Sequence, residues 1–234
     1  MPRYFALDEN LTLSKEDIHH IVKVRRMKMG DLITIVYNKE VYLCQLKDIM
    51  KNHLELLVIK KEQEEELDLK ITIGMALLKE SKFDLVLQKG TELGATAFLP
   101  LKTVRSIDIS FDKKSKKRER WSRICQEASK QSKRINVPLV FPIINLTEIN
   151  EKEYDLKILC SLQEKELNIK QLLQKSKNYD KIIVIIGPEG GLTKEEEQIL
   201  VDKGFIKVSL GSRVLRTETT PIFILSILNY EFMR

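Results

Sequence analysis

Two short stretches near the end of the chain bring glycines, carboxylates and two guanidinium groups close together: Gly187-Pro-Glu-Gly-Gly-Leu-Thr193 and Leu210-Gly-Ser-Arg-Val-Leu-Arg-Thr-Glu-Thr219. Each follows an apolar run that reads as a strand, at 181–186 and 206–210. Glycines at such places let the backbone approach a ligand, whose polar edges then meet main-chain N–H and C=O groups. In an open α/β sheet, ligands bind beyond the carboxyl ends of the strands. No G-x-x-x-x-G-K-[ST] is present and no G-x-G-x-x-G follows the first strand, which excludes a triphosphate loop and disfavours a standard dinucleotide site. Taken alone, Gly-Pro-Glu-Gly-Gly also reads as a plain strand-to-helix connection.

The elements that must carry these turns alternate strand and helix, the signature of a mostly parallel sheet. Strands are predicted at 71–77, 97–101, 156–160, 181–186 and 206–210, with an extended stretch at 137–144. Helices are predicted at 81–93, 116–133, 166–173 and 219–230, and Thr193 with Glu196 forms a capping box that starts another. The first sixty residues differ. They read as short strands at 32–37, 41–46 and 54–59, interrupted by one helix that Ser14 and Asp17 cap, and such a series suggests a small barrel. The charged run at 60–66 has no apolar periodicity and reads as a linker, which places domains at 1–67 and 68–234.

Composition narrows the class. Of 234 residues, 43% are hydrophobic, enough for a buried core. The longest apolar runs, such as 182–186, are too short to cross a bilayer, and the first residues lack a signal-peptide layout. Three scattered cysteines, Cys44, Cys125 and Cys160, argue against a disulfide framework and a structural zinc, and for a reducing cytoplasm. The net charge of +6 is uneven: residues 102–134 hold twelve Lys/Arg against four acids, and the remainder is weakly acidic. Such a segment is either a polyanion-binding face or a solvated helix.

Six motifs in order then carry a family resemblance. They are Pro2-Arg-Tyr-Phe5; His20, Val24-Arg25 and Gly30-Asp31; Lys89-Gly-Thr-Glu-Leu-Gly94 with Pro100 and Arg105; Glu127-Ala-Ser-Lys-Gln-Ser132 with Arg134 and Pro138; and the two glycine turns. Together they resemble the bacterial small-subunit ribosomal RNA uridine-N3 methyltransferases, the RsmE family of the SPOUT superfamily, over essentially the whole chain. Thr220-Pro221 departs from the small residues usual after Thr-Glu-Thr. A proline in a helix's first turn is tolerated, so this puts only the start of the last helix in doubt.

The resemblance implies an α/β protein with an N-terminal PUA-like RNA-binding β-barrel. It also implies a C-terminal SPOUT domain tied in a deep trefoil knot. The implied activity is S-adenosylmethionine-dependent methylation of uridine N3 in 16S ribosomal RNA of the 30S subunit, by a homodimer without a metal, with S-adenosylhomocysteine as product. The alternatives are a related methyltransferase acting on another base or a ribose, and a non-catalytic ribosome-assembly factor. On this reading the cofactor is held by Leu210, Gly211, Val214, Leu215, Arg216, Thr217 and Thr219 on one side. Gly187, Pro188, Glu189, Gly190 and Gly191 hold it on another, and Leu159, Cys160 and Ser161 form a third wall. Cys160 also reads as a buried structural thiol.

The uracil N3 proton must leave, yet His19, His20 and His53 all lie in the first domain, away from both turns. Arg216 is therefore the catalytic candidate that stabilises the developing uracil anion. Glu189 and Glu218 are candidate proton acceptors, or alternatively helix-start carboxylates that complement the dipole. The RNA footprint comprises Arg3, Lys23, Arg25 and Arg26 in the barrel and Arg105, Lys130, Lys133 and Arg134 beyond it, with Lys89, Glu92 and Gln131 in the same motifs. The last helix is apolar almost all round, which suggests a symmetric dimer contact.

Overall fold

The computed structural model describes residues 1–50, 53–64, 68–109, 114–174 and 179–232. The chain forms two compact units, Met1–Glu66 with Ser129–Val137, and Leu67–Ala128 with Pro138–Arg234. A division at residue 67 assigns Ser129–Val137 to the second unit, whereas its contacts are with the first.

In the first unit, β1 (Arg3–Phe5) runs parallel to β2 (Leu32–Tyr37). Between them lie α1 (Lys15–His19) and a π-helical turn at His20–Val24. Ser14 caps α1, its hydroxyl accepting from the Asp17 N–H. β2 and β3 (Glu40–Ile49) form a hairpin, with Asn38 and Lys39 at φ 48° and 66°. Two left-handed residues match the twist of the flanking strands. The core gathers Tyr4, Ile18, Ile21, Ile33, Ile35, Cys44 and Leu46.

β4 (Leu54–Gln63) corrects the linker reading, because residues 60–63 pair with Leu43, Tyr42, Val41 and Glu40 of β3. The charges suit an edge strand, where they deter pairing with another chain. Lys61 meets Glu40 across the ladder at 2.7 Å. Glu65 and Glu66, also read as linker, lie outside the described residues. Ile135 packs with Val36, Val41 and Phe5, which is why the later segment belongs to this unit.

The second unit is built on seven parallel strands. In chain order they and their helices are β5 (Lys70–Ala76), α2 (Glu80–Glu92), β6 (Ala97–Lys102), α3 (Lys114–Gln131), β7 (Leu139–Val140), β8 (Ile144–Asn145) and β9 (Leu156–Cys160). Then come α4 (Ile169–Gln174), β10 (Lys181–Ile186), α5 (Lys194–Asp202), β11 (Ile206–Val208) and α6 (Thr220–Phe232). The sheet order is β11-β9-β10-β5-β6-β7, with β8 also on β6. β10 is central and buried at residues 182–186, as a strand covered on both faces must be.

Several boundaries differ from the sequence reading, three of them in the connections of the second sheet. The basic helix ends at Gln131, and Lys133 turns left-handed at φ 60°. α4 starts at Ile169 because the Glu164 carboxylate takes the N–H groups of Glu166 and Leu167 and holds that stretch as a turn. The extended stretch at 137–144 is two short strands, parted by Pro142, which has no N–H for a ladder. Pro221 falls in the first turn of α6.

Candidate functional site

The carboxyl ends of β9, β10 and β11 lie side by side, so the loops that follow them share one edge of the sheet. They enclose a cavity of about 630 Å³. That falls within the roughly 300–1,000 Å³ usual for small-molecule sites. Its walls bring together the expected Cys160 and Ser161, Gly187 through Gly191, and Leu210, Gly211, Val214, Leu215 and Thr217. Three expected residues are not among the lining. Leu159 is fully buried in the core, because alternate residues of a strand face opposite sides. Arg216 and Thr219 are exposed, in the turn that leads into α6.

Each wall is held by local chemistry. The Thr193 hydroxyl accepts from the Glu196 N–H while Glu196 accepts from the Thr193 N–H, the reciprocal box anticipated from the sequence. Glu196 also accepts from the Val104 N–H at 2.8 Å, tying the loop after β6 to this turn. Beside it, Arg105 donates to the Gly190 carbonyl at 2.6 Å, and a Cβ on Gly190 would stand 3.1 Å from the Arg105 side chain. The Ser161 hydroxyl donates to Glu197 at 2.7 Å, and Glu197 faces Lys207 at 3.6 Å. Glu197 lines the cavity unanticipated, since nothing in the sequence separates it from its acidic neighbours Glu195 and Glu196.

On the last wall, Gly211 has φ +116°, and apart from its chain neighbours no atom of the described residues lies within 4 Å of where its Cβ would stand. The backbone N–H and C=O groups of Leu210 and Leu215 make no hydrogen bond among the described residues. Such groups are open to a ligand.

Glu189 and Glu218 share one cation, Lys82, which the sequence reading missed. Its Nζ donates to Glu189 Oε1 at 2.9 Å and stands 3.4 Å from Glu218 Oε2. Desolvation pushes the Glu189 carboxyl up, but the Lys82 hydrogen bond, a backbone hydrogen bond and the Lys82 and Lys79 charges together outweigh it and hold the group below the usual range. The Lys82 ammonium is raised in turn, chiefly by that hydrogen bond. Burial pushes the Cys160 thiol up to about 12, so at neutral pH it is an uncharged wall atom.

The expected RNA residues divide by burial. Lys23, Arg25, Arg26, Gln131 and Lys133 are exposed. Arg3 is 5% exposed, binding both oxygens of Glu64 and the Lys133 carbonyl. Lys130 pairs with Asp17 in the interior of the first unit, and the buried Arg134 donates to Asn136 at 2.9 Å. These three cations have partners within the first unit. Lys89 pairs with Glu92 one turn on at 2.8 Å. Among the described residues, no His/Cys/Asp/Glu group could hold a metal, and no helix is long and apolar enough to cross a membrane.

A parallel sheet with ligand-facing turns at its carboxyl edge, in a chain that also carries a small mixed sheet, is the architecture of RNA methyltransferases with a PUA module. The RNA methyltransferase domain family matches residues 65–229, and the RNA methyltransferase PUA domain family matches residues 13–59. Ribosomal RNA small subunit methyltransferase E of Bacillus subtilis is 35% identical, over 99% of this chain and 97% of the relative. That of Aquifex aeolicus is 32% identical over 93% of each. A crystal structure of the Neisseria gonorrhoeae enzyme bound to S-adenosyl methionine superposes with a TM-score of 0.87, at 28% identity over 98% of this chain and 97% of that one. The chain belongs to the ribosomal RNA small subunit methyltransferase E family.

Proposed function

We propose that this protein methylates N3 of a specific uridine in 16S ribosomal RNA of the 30S subunit, using S-adenosylmethionine and releasing S-adenosylhomocysteine, in the cytoplasm. The observation that carries the reading is the cavity. Its glycine wall is open at Gly211 and its main-chain groups at Leu210 and Leu215 are unpaired, as recognition of an adenine edge requires. When bound, the cofactor supplies an electrophilic methyl on its sulfonium. The chain's own residues do the rest. Leu210, Gly211 and Leu215 hold one side, Gly187 and Gly190 the other, and Ser161 with Glu197 closes the third wall.

A uracil N3 is hidden in a duplex, so the nucleotide enters unpaired or flipped out. Arg216, exposed beside the cavity, meets its O2 or O4 and stabilises the anion formed as N3 loses its proton. Glu189 lines the cavity as a carboxylate beside Lys82 and takes up that proton in the transfer step. The first unit binds RNA through Lys23, Arg25 and Arg26, and the second unit carries the chemistry. The trefoil knot belongs to the same reading. Its support is that α6, which follows the edge strand β11, returns to α2, where Asn229 donates to the Leu93 carbonyl at 2.6 Å.

The test is methyl transfer by the purified protein to 16S RNA or 30S subunits, with the modified position mapped by mass. Label at N3 of a single uridine is expected. Label on another base or a ribose would replace the substrate assignment, and no transfer to either substrate would remove it. In a separate RNA-binding titration, affinity is expected to fall with salt, and Arg25→Ala to flatten the log–log slope by about 0.7–0.9, the loss of one phosphate contact. The homodimer is supported by α6, whose Phe223 and Tyr230 are 37% and 82% exposed. Light scattering that gave a monomer at micromolar concentration would exclude it.

A further inference from the structure

Lys82 sits in the first turn of α2, where the helix dipole disfavours a cation. It is compensated by two carboxylates from distant parts of the chain. Glu189 belongs to the turn between β10 and α5, and Glu218 to the turn before α6. Glu218 is 9% exposed, and its Oε2 is buried with no hydrogen bond, so the ammonium 3.4 Å away is the charge that compensates it. Glu189 lines the cavity directly, and Thr217 and Thr220 line it on either side of Glu218. Two walls of the cavity therefore meet at one ammonium.

We infer that Lys82 is a positioning residue: its ammonium ties the turn after β10 to the turn before α6 through Glu189 and Glu218, and so holds two cavity walls at the spacing S-adenosylmethionine requires. Without that cation, two carboxylates would face each other across the join, one with a buried oxygen. Like charges at such a place repel, and a buried unpaired carboxylate drives its segment toward water. The turns would separate while the sheet behind them stayed intact, since its strands are held by their own ladders. This role rests on the S-adenosylmethionine reading of the cavity.

Calorimetric titration with S-adenosylmethionine tests it, alongside thermal unfolding without the cofactor. Lys82→Met is expected to weaken binding about tenfold, a partly exposed pair being worth less than a fully buried one. Its unfolding midpoint should stay near that of the unmodified protein. Lys82→Arg should restore the affinity, because a guanidinium reaches both carboxylates. Adding Glu218→Gln to Lys82→Met should recover part of it, because the repulsion is then gone. Simple packing by the lysine stem would not respond to this change of charge. Lys82→Met binding as tightly as the unmodified protein would overturn the role. So would Lys82→Arg binding as weakly as Lys82→Met, the double variant binding more weakly still, or Lys82→Met failing to fold. If the unmodified protein itself did not bind S-adenosylmethionine, the reading of the cavity would fall instead.

Discussion

Gly211→Val is expected to reduce S-adenosylmethionine affinity at least about a hundredfold and to abolish methyl transfer, while the protein still folds. Two effects combine. Gly211 has φ +116°, which a β-branched residue adopts only under strain of about 1–3 kcal/mol. The space at its Cβ position is empty of protein atoms, so nothing inside the molecule clashes with the new side chain. Gly211 lines the cavity, so the new methyl groups are expected to take space that the ligand must fill. A hundredfold loss corresponds to about 2.7 kcal/mol, which the lost contact reaches together with strain that the free turn relaxes and binding must restore. Gly211→Ala carries a similar backbone penalty with less bulk, and about tenfold is expected. Calorimetry decides: Gly211→Val binding within about threefold of the unmodified protein would mean that the ligand does not approach this turn.

Lys130→Met should lower stability by about 3 kcal/mol, although the sequence places Lys130 in a basic stretch that invites an RNA role. The Lys130 and Asp17 side chains are 11% and 5% exposed, and Asp17 Oδ2 is buried without a hydrogen bond. Removing one partner of such a pair leaves a carboxylate uncompensated in the interior, which typically costs about 3–5 kcal/mol. For a chain of this size, about 3 kcal/mol lowers the unfolding midpoint by roughly 6–12 °C. Replacing both, as Lys130→Met with Asp17→Asn, should recover much of the loss because no charge is stranded. Cofactor affinity should not change, since the cavity is built entirely from the other unit. A midpoint within 2 °C of the unmodified protein, measured by circular dichroism, would show that the pair is not stabilising.

The parts legible in the sequence were those whose cause is local. Ser14 meets the Asp17 N–H, and Thr193 meets Glu196, over three residues, so spacing alone reveals both caps. The run at 182–186 is apolar throughout because both faces of its strand are covered. The two glycine turns stand out because few other residues tolerate such a backbone, and they do line the cavity. The charged run at 60–63 was misread for an equally physical reason. Charge on an edge strand and charge in a linker look alike until the neighbouring strand is known.

By itself, then, the sequence determined an alternating α/β domain behind a strand-rich first segment, the glycine turns at its carboxyl edge, and, through six ordered motifs, the family. Only the tertiary structure decided which charges meet. Lys82 reaches Glu189 across 107 positions, Arg3 reaches Glu64 across 61, and Lys130 reaches Asp17 across 113. Side-chain periodicity carries information over one or two turns of helix or a few residues of strand. Partners so far apart depend instead on the order in which strands join the sheet and on where the chain re-enters each unit. That order is set by the burial of the whole core, which spreads over many residues and leaves no mark on any one of them.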